Sequence, residues 1–151
     1  MAWGFTPILT MSQIFLEKEL SYQLISCFYD VRNKYGRWHS ERVYDRALGE
    51  QFDLKGIKHI SQPRINAYSI DTGKKLAIYI PDRLVENKII VEVKAKPLIT
   101  KDDENQIIEY LKITKYEILY SVNFREESFK PRRFIYTNDR KSFMVTKIVH
   151  K

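Results

Sequence analysis

LAIYIPDRLVENKIIVEVKAK, residues 76–96, is the stretch on which the reading of this chain turns. Its apolar residues fall into two runs separated by Glu86-Asn87, the pattern of two strands joined by a short turn. Pro81-Asp82 sits on the first run and Glu92-Val93-Lys94 on the second. Side chains alternate faces along a strand, so Glu92 and Lys94 point the same way.

The turn decides whether Asp82 joins them. A two-residue loop, Glu86-Asn87, pairs Val85 with Lys88 and sends Asp82 to the face opposite Glu92. A three-residue loop, Val85-Glu86-Asn87, pairs Leu84 with Lys88, sets Asp82 opposite Ile90 and leaves it diagonal to Glu92. Diagonal neighbours lie roughly 7–8 Å apart, close enough for both carboxylates to reach one Mg²⁺ at about 2.1 Å each. Such a loop wants its last residue left-handed, which Asn tolerates. Pro81 lacks an N–H and marks a candidate bulge. The three-residue loop is therefore expected. It produces a carboxylate on one strand facing a carboxylate and a lysine on the next, the set that metal-dependent phosphodiester cleavage needs.

The rest of the chain sets bounds on that reading. The chain has 151 residues, suited to one domain with a real core. Composition is 44% hydrophobic and 30% charged, too apolar for disorder. No run approaches the roughly 18 apolar residues of a membrane span, so no membrane partner is expected. MAWGFTPILT at the start lacks a basic region and a long apolar run, and does not read as a secretory signal. Met11 is an alternative start, with residues 1–11 an N-terminal extension and residues 12–151 a single domain. Cys27 is alone, which excludes a disulfide framework and fits a reducing cytoplasm. A net charge of +7 favours a polyanionic partner.

In order, residues 12–35 carry Leu20, Leu24, Cys27, Phe28, Val31 and Tyr35 at helical spacing, ending at Gly36. A second helix follows over residues 40–54, with Ser40 as N-cap, Val43, Ala47 and Leu48 as its apolar face, and Glu41 in its first turn. Strands are expected over residues 57–70, 74–84 and 88–96, the first pair joined at Asp71-Thr72-Gly73. Pro63 puts an edge or a bend in the first. Within the hairpin, Ile80, Leu84 and Ile90 share one face, and Tyr79, Ile89, Val91 and Val93 the other. A helix over residues 103–114, capped by Thr100 or Asp102, places Gln106 and Tyr110 on one face. Strands at 116–124, 132–137 and 143–149 complete an α/β domain.

This order, together with Glu41 and Tyr44, Gly73-Lys74-Lys75-Leu76, Pro81-Asp82, Glu92-Val93-Lys94, Gln106 with Tyr110 and Asn123-Phe124, resembles the PD-(D/E)XK nuclease superfamily. More narrowly it resembles the GxxExxY family within it. Trp38 departs from the glycine of the naming motif, and Arg125 from a glycine that often follows Asn-Phe. The resemblance implies a restriction-endonuclease-like core, α-β-β-β-α-β, with a mixed central sheet flanked by helices. It implies Asp82 and Glu92 as direct ligands of Mg²⁺, with Mn²⁺ as a substitute. The Val93 carbonyl would be a third ligand, and Glu41 would reach the ion directly or through water. Lys94 would hold the attacking water, and Gln106 and Tyr110 would orient site residues or substrate.

Each motif also has a plain structural explanation. A charged strand face yields Glu-x-Lys, a turn yields Pro-Asp, and an exposed Gln with a core Tyr yields the helical pair. Their joint occurrence, in order, favours a Mg²⁺-dependent nuclease in repair, recombination or defence, acting on DNA ahead of RNA. A homodimer would supply the two sites that cutting both strands requires. The alternative is a nucleic-acid-binding or assembly module that keeps the fold without turnover. His39, His59 and His150 lack zinc spacing, and neither a phosphate-binding glycine loop nor a nucleophile elbow occurs.

Overall fold

Leu24, Cys27, Phe28 and Val31 recur at three- and four-residue steps, and all are buried on the first helix, α1 (Lys18–Tyr35). The computed structural model describes residues 16–69 and 71–141. The N-terminal extension and the strand expected at 143–149 lie outside the described residues. Gly36 stops α1 at φ +74°, its N–H donating to the Arg32 carbonyl at 2.9 Å. The second helix, α2 (Glu41–Leu54), starts at Ser40, whose hydroxyl accepts the Val43 N–H. Its buried face is Tyr44, Ala47, Leu48 and Phe52. Val43 falls just off that stripe and is exposed, contrary to expectation, as is Tyr35 at the end of α1.

The first two of the three stretches expected as single strands break, while the third stays whole. The first becomes β1 (His59–Ser61) and β2 (Ile65–Tyr68), interrupted by Gln62 at φ +50° and by Pro63. The second becomes β3 (Lys75–Tyr79) and β4 (Arg83–Val85), interrupted at Pro81. A proline cannot donate to a ladder, and both breaks contain one. The Gln62 N–H donates to the Asp82 carbonyl at 2.8 Å and ties the two breaks together. Beyond them β2 and β3 form a separate two-stranded ribbon, while β1 and β4 pair within the main sheet.

The chain continues through β5 (Ile89–Lys94), α3 (Lys101–Ile113), β6 (Ile118–Asn123) and β7 (Arg132–Ile135). The sheet order is β1-β4-β5-β6-β7, with β5 and β6 parallel and the other pairs antiparallel. A parallel pair needs a crossover, and α3 supplies it. Thr100 and Asp103 form a capping box at its start. Phe28 and Leu48 from α1 and α2 pack with Val91, Val93 and Tyr120 on one side of the sheet. Ile107 and Leu111 from α3 pack with Leu84, Ile90 and Leu119 on the other. Covered on both faces, β5 is a continuous apolar run where it is not chemical.

The β4–β5 loop has three residues, but they are Glu86-Asn87-Lys88, one position later than expected. Val85 pairs with Ile89, Leu84 with Ile90 and Arg83 with Val91. Glu86 at φ +52° and Asn87 at φ +54° make the left-handed pair of a type I′ turn. The Lys88 N–H closes it on the Val85 carbonyl at 2.9 Å. The shift preserves strand parity, so Asp82 is carried level with Glu92 instead of diagonal to it. A second expectation is corrected on the other side of the break. Tyr79 lies with Leu84 and Ile90 rather than with Ile89, Val91 and Val93, and Ile80 is exposed. The irregular backbone at Pro81 displaces the alternation by one residue.

Candidate active site

Just past the Arg83–Val91 pair, Asp82 comes up beside Glu92. Asp82 Oδ2 accepts the Val93 N–H at 2.7 Å, and Glu92 Oε1 accepts the Asp82 N–H at 3.0 Å. In an antiparallel ladder the N–H and C=O of one residue face the same neighbour. The Val93 carbonyl therefore faces the Asp82 side, where Pro81 has no N–H to offer it. The other Glu92 oxygen, Oε2, accepts the hydroxyl of Tyr79 at 3.1 Å. The Tyr79 ring stacks on Tyr110 of α3, centroids 3.7 Å apart and planes at 11°.

Two half-buried carboxylates are thus held together, and the cost shows in their titration. Burial, then the charge of Asp82, pushes Glu92 up to about 7. Burial also raises Asp82, against the lowering effect of its Val93 bond. Asp45 and Glu41, from the first turns of α2, raise Asp82 further by their charge. Lys94 lowers both, and forms no direct ion pair among the described residues. The arrangement favours a cation that would relieve the two adjacent charges.

A second network sets α2 against β4. Arg83 Nε and Nη2 donate to the two Asp45 oxygens at 2.9 and 3.0 Å. Its Nη1 lies 3.0 Å from His59 Nδ1, and His59 Nε2 lies 2.8 Å from Asp53 Oδ1. A proton on His59 Nε2 satisfies both bonds. Gly49, one turn beyond Asp45, lets the guanidinium approach the helix: a Cβ there would stand 3.0 Å from Arg83 Nη2. Asp45 lies four residues after Glu41, so this pair fixes the helix turn that carries Glu41.

Of the residues singled out from the sequence, Asp82, Glu92 and Lys94 come together, and Glu41 stands close enough to act on Asp82 by its charge. Tyr110 reaches the cluster through Tyr79. Gln106 is exposed and makes no hydrogen bond to the carboxylates. Tyr79, Asp45, Arg83 and His59 are additions that sequence reading missed. The spacing of Glu41 and Asp45 was the available signal for one of them.

Among the described residues, no group of three His, Cys, Asp or Glu side chains is preassembled to hold a metal. Two carboxylates and a backbone carbonyl suit a hard cation that keeps part of its water shell, not a closed zinc site. No helix among the described residues is long and apolar enough to cross a membrane. Neither a curated protein nor a solved structure matches the chain. The family model of the PD-(D/E)XK nuclease superfamily matches residues 18–134, a span that runs from α1 into β7 and contains the whole acidic cluster. The mixed sheet and three helices are consistent with the restriction-endonuclease-like fold, and the chain belongs to the PD-(D/E)XK nuclease superfamily.

Proposed function

We propose that this chain is a divalent-metal-dependent nuclease, using Mg²⁺ or Mn²⁺ in its place, on DNA ahead of RNA. The observation that carries the reading is the reciprocal hold between Asp82 and Glu92, which keeps two half-buried carboxylates side by side at raised pKa. Asp82 and Glu92 hold the ion directly, the Val93 carbonyl is a third ligand, and Glu41 joins directly or through water. A bound ion of this kind polarises a phosphoryl oxygen and acidifies its water. Lys94, on the strand face it shares with Glu92, donates to the attacking water and offsets negative charge developing on the phosphate. Tyr110 supports Glu92 through Tyr79, and Gln106, one turn earlier on α3, is free to meet substrate.

Glu41 at the start of α2 and Tyr44 buried one turn on support the narrower placement in the GxxExxY family. The test is cleavage of linear, nicked and circular DNA and of RNA with Mg²⁺, Mn²⁺ or EDTA. Divalent-dependent cleavage should vanish in both Asp82→Ala and Lys94→Ala while the variants stay folded. Equal activity in those variants would sink the proposal. Salt-sensitive binding without cleavage or Mg²⁺ affinity would favour a binding module instead.

A further inference from the structure

The loop between α1 and α2 carries a group of side chains that the metal chemistry does not use. Trp38 is 70% exposed. Two guanidiniums lie over its ring, Arg37 with Cζ 4.6 Å from the centroid and Arg125 at 4.7 Å. They come from opposite parts of the chain, and Arg37 Nε donates to the Arg125 carbonyl at 2.9 Å. Among the described residues neither arginine has a carboxylate partner, whereas Arg132 pairs with Glu104 and Glu126.

The group is built, not a loose tip. The Tyr44 hydroxyl donates to the Gly36 carbonyl at 2.6 Å and accepts the His39 N–H at 3.2 Å, pinning the loop on both sides of Trp38. The Tyr44 ring stacks on Phe124, centroids 4.4 Å apart. Asn123 Oδ1 accepts the backbone N–H of Arg125 at 3.3 Å and of Lys96 at 3.1 Å. Two like charges converge on one exposed ring with no carboxylate partner among the described residues, and a bound anion would lower their repulsion. A ligand that satisfies the whole group carries a flat ring and a negative charge, as a nucleotide does. Guanidinium planes extend the stacking surface of the indole. A base within a duplex is already stacked on its neighbours, so the partner is an unpaired one.

The location ties this surface to the acidic cluster. Trp38 precedes Glu41 by three residues, and Arg125 follows Asn123, the residue paired with Lys94 across β5 and β6. The Phe124 N–H donates to the Lys94 carbonyl at 2.9 Å, so Arg125 directly follows a residue bonded to the strand position that carries Lys94. We propose that Trp38, Arg37 and Arg125 form a stacking platform for an unpaired base beside the cleavage site. The preferred substrate class is then a nucleic acid with a single-stranded tail or frayed end. That substrate preference rests on the nuclease reading; the binding of an unpaired base does not.

The test uses the full chain in EDTA, titrated by fluorescence anisotropy against a blunt duplex and the same duplex bearing a thymidine tail. Trp38→Ala should weaken binding of the tailed probe by about tenfold and leave the blunt one unchanged, and Trp38→Phe should restore most of the loss. Arg125→Gln should lower the salt slope for the tailed probe by about one. Because Trp38 is exposed, thermal melting should stay at the wild-type value and exclude misfolding. Equal weakening of both probes, no effect of Trp38→Ala, or no binding of either probe would overturn the platform. A chain that cleaves without tail preference loses the platform alone. One that shows Trp38-dependent tail preference without cleaving loses the nuclease reading alone.

Discussion

Asp82 and Glu92 each hold the backbone on the other's strand: Asp82 Oδ2 takes the Val93 N–H at 2.7 Å, and Glu92 Oε1 takes the Asp82 N–H at 3.0 Å. These side-chain bonds continue the hold between the two strands past the last paired residues, Arg83 and Val91. The carboxylates are therefore part of the sheet's own pairing, and their position is fixed before any ligand arrives. Structure and site are hard to separate at this point, which makes the choice of substitution decisive.

Asp82→Asn keeps an oxygen for the Val93 N–H and removes one of two adjacent, half-buried charges. In EDTA its thermal stability should equal or exceed that of wild type, while cleavage falls by at least about a hundredfold. Asp82→Ala also leaves the Val93 N–H without its acceptor and should be less stable than Asp82→Asn by about 1–3 kcal/mol. Melting curves of the three proteins with parallel cleavage assays check this. An Asp82→Asn protein that is inactive only because it is unfolded would contradict it.

The raised pKa of Glu92 fixes a sign for the pH dependence. Its carboxyl titrates near 7 in the folded protein against an ordinary value of 4.5. Between those values the folded protein holds a proton that the unfolded chain has released, so stability without metal falls as pH rises through that window. The loss is on the order of 3 kcal/mol. Glu92→Gln should flatten the slope, and the Mg²⁺-induced gain in melting temperature should be larger at about pH 8 than at about pH 5.5. Parallel pH profiles for wild type and Glu92→Gln would show that Glu92 is not the titrating group.

Tyr79→Phe keeps the stack on Tyr110 but removes the hydroxyl that donates to Glu92 at 3.1 Å. That bond favours the ionised carboxylate, so its loss should raise the Glu92 pKa further and weaken Mg²⁺ by about tenfold. The acid limb of the pH–rate profile should move upward with it. Gln106→Ala, at an exposed position without a bond to the cluster, should leave Mg²⁺ affinity unchanged. Isothermal titration of the two variants separates the cases.

The pairing of Asp82 with Glu92 and Lys94 was readable because strand alternation is geometric and survived a one-residue slide of the turn. Helix ends were readable for a local reason: Ser40, Thr100 and Gly36 act within their own turn. Tyr79 was not, since the break at Pro81 changes the parity of everything before it and leaves no mark on the hydrophobic pattern. Arg83 was hidden differently. Its partner Asp45 is 38 residues earlier, and in sequence the arginine looks like any charge on a hairpin. Glu41 was marked by family resemblance alone, because a carboxylate in a first helical turn is ordinary.

The Arg83 network yields the last prediction. Arg83 is only 7% exposed, so Asp45→Ala would leave a buried guanidinium with His59 as its remaining side-chain partner, at a cost of about 3 kcal/mol. Adding Arg83→Met should recover much of that stability, because removing both members of a buried pair is far cheaper than removing one. Gly49→Ala tests the same contact from the helix side. In an ordinary helix interior it would stabilise by up to about 1 kcal/mol, but here the new methyl meets Arg83 at 3.0 Å. The guanidinium is held by Asp45 and His59 and has little freedom to move, so the expected sign is destabilising. If the network also positions Glu41, the Asp45→Ala, Arg83→Met double variant should melt near wild type yet gain less from Mg²⁺. Full recovery of both would restrict the network to holding α2 on the sheet.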